Sequence, residues 1–440
     1  MDLINQLISL PPREFTDFLR SEGIQRFWFV WHPGSRVVMA SHPQLQPIAD
    51  WLRADKRDFL EHEGLFFQVS REHGLLQGAF VHRTCRGQGA GGVRLWTYET
   101  LEDYLRDGLR LSAGMTFKNA LAGLWWGGGK GVMARDAGFD DADPAVRKSL
   151  YREYGDLITS LCGCYVTAED AGTSADDMVS VYGATRFTTC IPPRLGGSGD
   201  PSVPTARGVV CGMEAALEFI GDGDLSGKTV AVQGLGHVGG RLAGLLAGKG
   251  VGRIVACDIA PSNVERIRRE VPGSRLEARV VEPGDTGIFG TECDILAPCA
   301  TGAVLGPATI PRLRARIVCG AANNQLEDTS RDGALLAARK IVYVPDFLTN
   351  RMGIVSCADE HAGTIPDDPR VEQHLTKDWE FGIHKTVLKV LEASAGSGKP
   401  PGTVATEMAD RLSLELHPIF GHRGRKIIDA LAASSWHEKG

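Results

Sequence analysis

The sequence predicts an α/β protein with two domains, the second a doubly wound sheet of the Rossmann type. Three observations carry this reading. The chain has 440 residues, enough for two or three domains with separate cores. Beyond residue 200, short apolar strand runs alternate with helical stretches, the pattern of a mainly parallel sheet. A glycine-rich turn, Gly234-Leu-Gly236-His237-Val238-Gly239, stands between a strand run and a helix.

Composition narrows the function classes. A formal net charge of −6 argues against a dedicated nucleic-acid binder. No apolar stretch approaches the ~20 residues that span a bilayer. Asp2 stands where a secretory leader carries Lys or Arg, so the cytoplasm is the expected location and no membrane partner is expected. Ten cysteines are scattered along the chain. Only Cys162 and Cys164 are close, at a spacing that zinc sites do not use, so neither disulfides nor a metal is expected.

The elements follow in order. RFWFVWHPGSRVVMASH (26–42) holds two strand runs about a Pro-Gly turn, and FFQVS and LLQGAFVH repeat the pattern as a second hairpin; the four runs can also join one sheet. Residues 99–122 read as a helix with acids in its first turn, and 145–162 as another. A glycine-rich turn is expected at 127–129, and RLGGSGDPSVP marks a boundary near residue 200. KTVAVQGLG, RIVACDIA, ECDILAPCA, ARIVCGAAN and KIVYVPDF are strand runs; helices are expected at 374–394 and 403–416. GHRGRK (421–426) reads as a solvated basic cluster.

The turn at 234–239 has the parts of a dinucleotide site. Gly234 permits a tight turn, Gly236 lets a pyrophosphate approach the backbone, and Gly239 lets helix and strand pack. The helix N-terminus, through His237 and Val238, offers free N–H groups to phosphate. Asp258, at the end of the next strand run, can accept from ribose hydroxyls and would repel a 2′-phosphate, which favours NAD over NADP unless Arg266 or Arg268 intervenes.

Two lysines stand out in the first half. Lys118 lies in GMTFKNA and Lys130 in GGGKG, behind Trp125 and Trp126. Taken alone, a lysine after glycines is more often a surface residue in a turn; one that is desolvated has a lowered pKa, which suits it to polarise a carbonyl or share a proton. The acids Glu169 and Asp170 precede a small-residue turn and, taken alone, would cap a helix.

GGVRLWTY, GMTFKNA, GGGKG, TAEDAGTSADDM, GLGHVGG, ILAPCATGAVL, GAANNQL and VPDFLTN occur in this order over roughly residues 65–390. Together they resemble the Glu/Leu/Phe/Val amino-acid dehydrogenase family, nearest to its leucine and phenylalanine enzymes. The resemblance implies residues 1–200 as a substrate-binding and oligomerisation domain, with an added segment 1–64 and completed by C-terminal helices in 376–440. It implies 201–375 as the NAD domain, with the active site in the cleft between them. The implied reaction converts an L-amino acid to a 2-oxo acid and ammonia, or the reverse. Lys118 would pair with the substrate carboxylate, Lys130 activate water, and Asp170 shuttle protons. Gly91 and Gly92 would touch substrate through the backbone, Asn323 orient the nicotinamide, and Asn350 line the cleft. Thr205, Ile259, Cys299 and Ala300 would complete the cofactor site, and Ala90, Ile354 and Cys357 the side-chain pocket.

The chain also departs from that pattern. Family members carry a small Ala-Gly pair where this chain has Arg351-Met352, a segment expected to shape the pocket. Where glutamate enzymes use a lysine and a serine for the distal carboxylate, Ala90 and Cys357 stand, which disfavours glutamate unless Arg351 points inward. With Trp125, Trp126 and Met352 nearby in sequence, a large apolar or aromatic substrate is expected. The segment before residue 65 would cover a sheet edge and favour a homodimer. Two other readings stay open: an enzyme of this fold with an unusual amine or oxo-acid substrate, and a catalytically silent NAD-binding regulator.

Overall fold

The computed structural model describes residues 3–438 except 137, 274, 364 and 366. Two sheets organise it. The first has eight strands: β1 (Arg26–His32), β2 (Val37–Ala40), β3 (Gly64–Val69), β4 (Leu76–Arg83), β5 (Gly89–Ala90), β6 (Val93–Trp96), β7 (Gly127–Ala134) and β8 (Tyr165–Val166). Their order is β2-β1-β3-β4-β7-β5-β8, with β6 also on β7. The two early hairpins thus join one antiparallel meander, because β1 pairs with β3 along its length.

The second sheet holds β9 (Thr229–Gln233), β10 (Arg253–Asp258), β11 (Leu276–Val280), β12 (Glu292–Pro298), β13 (Arg314–Val318) and β14 (Val342–Tyr343). All pairs are parallel and the order is β11-β10-β9-β12-β13-β14, the doubly wound order with its switch point between β9 and β12. LEARV, β11, gave no sequence signal: it is a charged edge strand with only Ala278 buried.

The segment expected as a glycine turn at 127–129 is instead the start of β7, in the middle of the first sheet. Its glycines answer to crowding rather than to a turn. A Cβ on Gly128 would stand 2.0 Å from Thr116 Oγ1 on the overlying helix, and one on Gly131 would stand 2.1 Å from Tyr154 Oη. The overlying helix is Leu101–Leu121, capped by Thr100, whose hydroxyl accepts from Asp103 N at 3.1 Å.

The C-terminal helices divide instead of all completing the first lobe. Ile383–Ser397 begins nine residues later than expected, after the aromatic turn Trp379–Phe381, and packs on Ser202–Phe219 in the core of the second lobe. Pro401–Ser413 spans both, touching Leu101–Leu121 as well. Arg423–Ala433 sits on the first sheet, with Ile428 and Leu431 in its core. GHRGRK is only partly a solvated cluster: Arg423 and Lys426 are exposed, but Gly424 is buried, His422 meets Glu63, and Arg425 donates to the Trp31 carbonyl. Among the described residues no helix is long and apolar enough to cross a membrane.

Candidate active site

The two lobes meet where β7, the end of helix Leu101–Leu121 and the loops after β13 and β14 converge. Lys130 lies on β7 opposite Phe80 of β4 and is 3% exposed. Its Nζ is 2.7 Å from Asp170 Oδ2. Asp170 is free for this because the following helix, Ala175–Tyr182, is capped by Ser174 and Asp177 in a reciprocal capping box.

Sequence reasoning missed the next link. Arg94 Nε lies 3.2 Å from the same Asp170 oxygen, and Arg94 Nη1 reaches both oxygens of Asp107 at 3.1 Å. Tyr98 donates to Asp107 at 2.6 Å. Arg94 stood inside the quoted GGVRLWTY; its signal was a charge in a strand run, with an acid on the next helix to receive it. Burial alone would raise the Asp170 carboxyl, but Lys130 and Arg94 outweigh it and hold it well below the usual carboxylate range. Burial lowers the Lys130 amine, with Asp170 opposing. Glu169, half-buried beside Asp200 and Asp170, is pushed up to about 7.

Lys118, in the last turn of its helix, reaches across to the other lobe: Nζ lies 3.4 Å from Asn323 Oδ1. The same oxygen accepts from Asn350 Nδ2 at 2.7 Å, while Asn350 Oδ1 is buried without a protein partner. Burial lowers Lys118 to about 8, against the pull of Asp346, and the like charge of Lys130 adds to the fall. Both amines therefore belong to one crevice with residues of the second lobe.

Gly91 and Gly92 lie against this group. A Cβ on Gly92 would stand 2.8 Å from Asp170 Cβ. The Gly91 N–H already donates to Val166 O, and its carbonyl accepts from Tyr165 at 2.6 Å, so Gly91 offers a substrate its remaining carbonyl lone pair but no donor. Ala90, Ile354 and Cys357 fall in one apolar cluster, bordered by Met115 and Leu124. Cys357 Sγ is 3.2 Å from Cys190 Sγ.

Arg351 and Met352 do not shape that pocket. Met352 is buried in the core of the second lobe. Arg351, fully buried, turns away and donates to Leu121 O at 2.7 Å and to Phe381 O, which satisfies the carbonyl end of the Lys118 helix. Burial lowers its pKa to about 9. Trp125 lies under the Arg86 guanidinium and Trp126 against His361, both on a cavity of about 990 Å³ lined by neither lysine.

The nucleotide half has a cradle at the switch point. Gly234 has φ +89, and a Cβ on it would strike Ala300; around Gly236 no heavy atom stands within 4 Å of a Cβ position, leaving room for a phosphate. His237 is exposed at the N-terminus of helix His237–Gly248, while Val238 packs inward. Asp258 accepts from Leu235 N at 2.6 Å and Ala260 N at 2.8 Å, and Ile259 is exposed beside it. Arg266 is turned onto the Leu235 carbonyl and Glu270, and Arg268 onto the Ala278 carbonyl, so neither guanidinium is presented to a 2′-phosphate. Cys299 N–H donates to Gln233 O, and Thr205 faces Gly353 from helix Ser202–Phe219.

Residues 65–187 match the family model for the Glu/Leu/Phe/Val dehydrogenase dimerisation domain, and 196–400 match that for Glutamate/Leucine/Phenylalanine/Valine dehydrogenase. The chain belongs to this family. It is an NAD-dependent amino-acid dehydrogenase, which removes the silent-regulator reading. Leucine dehydrogenase of Thermoactinomyces intermedius is 40% identical to it over 81% of this chain and 92% of that protein. Phenylalanine dehydrogenase of Lysinibacillus sphaericus is 37% identical over 76% of this chain and 84% of its own length. Among solved structures, L-tryptophan dehydrogenase from Nostoc punctiforme superposes with a TM-score of 0.64 at 32% identity, covering 80% of this chain and 96% of that one.

Proposed function

We propose that this dehydrogenase interconverts a large apolar or aromatic L-amino acid with its 2-oxo acid and ammonia, using Lys118, Lys130 and Asp170. The observation that carries the reading is the buried Lys130–Asp170 pair at 2.7 Å, set beside a second amine that bridges to Asn323 of the other lobe. NAD, when bound, takes up the hydride that leaves Cα.

Each residue has a task that its surroundings support. Lys118 holds the substrate carboxylate as an ion pair, which fixes Cα relative to Asn323. Asn350 Oδ1, buried and lacking a partner, accepts from the substrate ammonium. The substrate ammonium first gives a proton to Asp170; loss of hydride from the neutral amine then leaves an iminium carbon, and neutral Lys130 takes a proton from the water that adds to it. Asp170 passes protons between that water, the departing amine and solvent, and Arg94 fixes its orientation. The carbinolamine then releases ammonia, leaving the 2-oxo acid. Help of this acid–base kind is worth about 10²–10⁴-fold.

The small lining residues Ala90 and Cys357 support a bulky side chain, and neither can neutralise a distal carboxylate. A panel of 2-oxo acids with NADH and ammonia tests this: phenylpyruvate and indole-3-pyruvate should exceed 3-methyl-2-oxobutanoate in kcat/KM. A clear preference for the small branched acid would overturn the substrate class. We further propose a homodimer, since the hairpin β1-β2 covers the edge of β3 that the family-matched part, beginning at residue 65, would leave open. Light scattering on the purified protein decides it; an octamer or hexamer would refute it.

A further inference from the structure

The first sheet carries a second polar cluster, which the dehydrogenase chemistry does not use. Glu63 immediately precedes β3, Cys85 follows β4, and His422 stands at the start of helix Arg423–Ala433. His422 Nε2 lies 3.0 Å from Glu63 Oε1 and 3.7 Å from Cys85 Sγ, and the three ligand atoms lie within 4.8 Å of one another. Glu63 and Cys85 are buried, and His422 is partly exposed. No local spacing announces such a group, because its members are 22 and 337 residues apart.

The surroundings aim these side chains. Thr84 donates its N–H to Glu63 Oε1 at 3.0 Å and its hydroxyl to Oε2, which fixes the carboxylate plane. Gly424 brings the helix in so closely that a Cβ there would stand 2.5 Å from Thr84 Cβ. The His417 N–H donates to the Cys85 carbonyl, pinning the other end of the approach.

Hydrogen bonding explains only part of this arrangement. Nε2 either donates its one proton to Glu63 Oε1 or accepts from the Cys85 thiol, so hydrogen bonding satisfies only one of the two contacts at a time. A divalent ion serves all three atoms together. Around a tetrahedral zinc, with bonds of about 2.0–2.3 Å, neighbouring ligand atoms stand roughly 3.3–3.6 Å apart. Both separations from Nε2 lie close to that range, and a side-chain rotation closes the Glu63–Cys85 pair. A thiolate with an imidazole selects zinc over calcium or magnesium, and thiolate plus carboxylate balance its charge.

We propose that Glu63, Cys85 and His422 form a zinc site, with a water in the fourth position, that fastens the C-terminal helix to the first sheet. The bonds formed are three coordinate bonds; the Cys85 proton and the proton that Nε2 shares with Glu63 leave to solvent, Nδ1 keeps its own, and nothing is oxidised. Glu63 and His422 both lie outside the segments matched by the family models, while Cys85 lies inside the first.

The test uses the full-length protein, stripped with a chelator and titrated with cobalt(II) and then zinc(II). One equivalent of cobalt should bind and produce a sulfur-to-cobalt charge-transfer band, which zinc abolishes by displacement, and zinc should raise Tm. Cys85→Ser should lose the band, and His422→Gln should weaken binding about 10–100-fold, with dehydrogenase turnover retained in both. If Cys85→Ser fails to fold, the partly exposed His422→Gln carries the test alone. Failure of the wild-type protein to bind either ion stoichiometrically would overturn the proposal. So would a cobalt band and affinity unchanged in these variants, because the ion would then sit on other cysteines.

Discussion

The two sides of the eight-stranded sheet hold their polar groups in opposite ways. Facing the cleft, the buried Lys130 and the half-buried Asp170, Arg94 and Lys118 form a cluster of charges, with Asn350 Oδ1 left unpaired. At the other edge, the segments outside the family-matched region pack as apolar layers on both faces of the sheet. Trp436 meets Phe66 edge-on at 5.4 Å and donates to Ser160, and Phe27 stacks on Phe67 at 4.7 Å. The first side keeps groups poised at a cost in stability; the second supplies stability and touches no substrate-facing group. A good site and a good core ask different things of the same sheet.

The largest expected effect breaks the cleft side. Lys130→Ala should lower turnover by about 10²–10⁴-fold. It should leave NADH binding, followed by fluorescence, and the unfolding midpoint in urea close to wild type, since Asp170 keeps Arg94 as a partner. The mirror experiment is Trp436→Ala, which should cost about 3–5 kcal/mol in urea unfolding while kcat stays within twofold. If Trp436→Ala changed kcat as strongly as stability, the division between the two sides would fail.

Two smaller effects sharpen the contrast through pH. Lys118 titrates near 8, so the cation that holds a carboxylate disappears above that pH. KM for a 2-oxo acid should rise up to tenfold per pH unit above about 8, and Lys118→Gln should flatten that rise at a high KM. Glu169 is raised to about 7 by burial and by Asp200 and Asp170. A carboxyl raised on folding binds more protons folded than unfolded between its ordinary range and about 7, so its penalty grows through that window and is complete above it. Glu169→Gln should therefore stabilise by about 1–2 kcal/mol at pH 8 and by little at pH 4.5, measured by urea unfolding at both values.

Much of the second lobe was legible because its signals are local. A strand run, a glycine turn and an acid 19 residues after Gly239 lie within one stretch of chain, and five of its six strands were visible as apolar runs. The first lobe hid its logic in tertiary contacts. GGGKG looked like a turn because glycine usually marks one; Thr116 and Tyr154, pressing on opposite faces, show why a central strand needs it. Arg351 looked like a pocket residue by its place in the motif, yet its guanidinium answers the carbonyls of Leu121 and Phe381, which sequence cannot bring near. His422 and Arg425 looked like solvated charge because their partners, Glu63 and Trp31, lie more than 350 residues away.

The Arg351 clasp has a mechanical consequence. It ties the last carbonyls of the Lys118 helix to the nucleotide lobe, where Leu121 and Ala122 are already part of the core. Lys118 sits less than one turn before that tether, close to the fulcrum, while β5 and β6 lie out along the jaw. In the binding mode proposed above, a substrate carboxylate paired with Lys118 would stay close to that tether during any closure of the lobes.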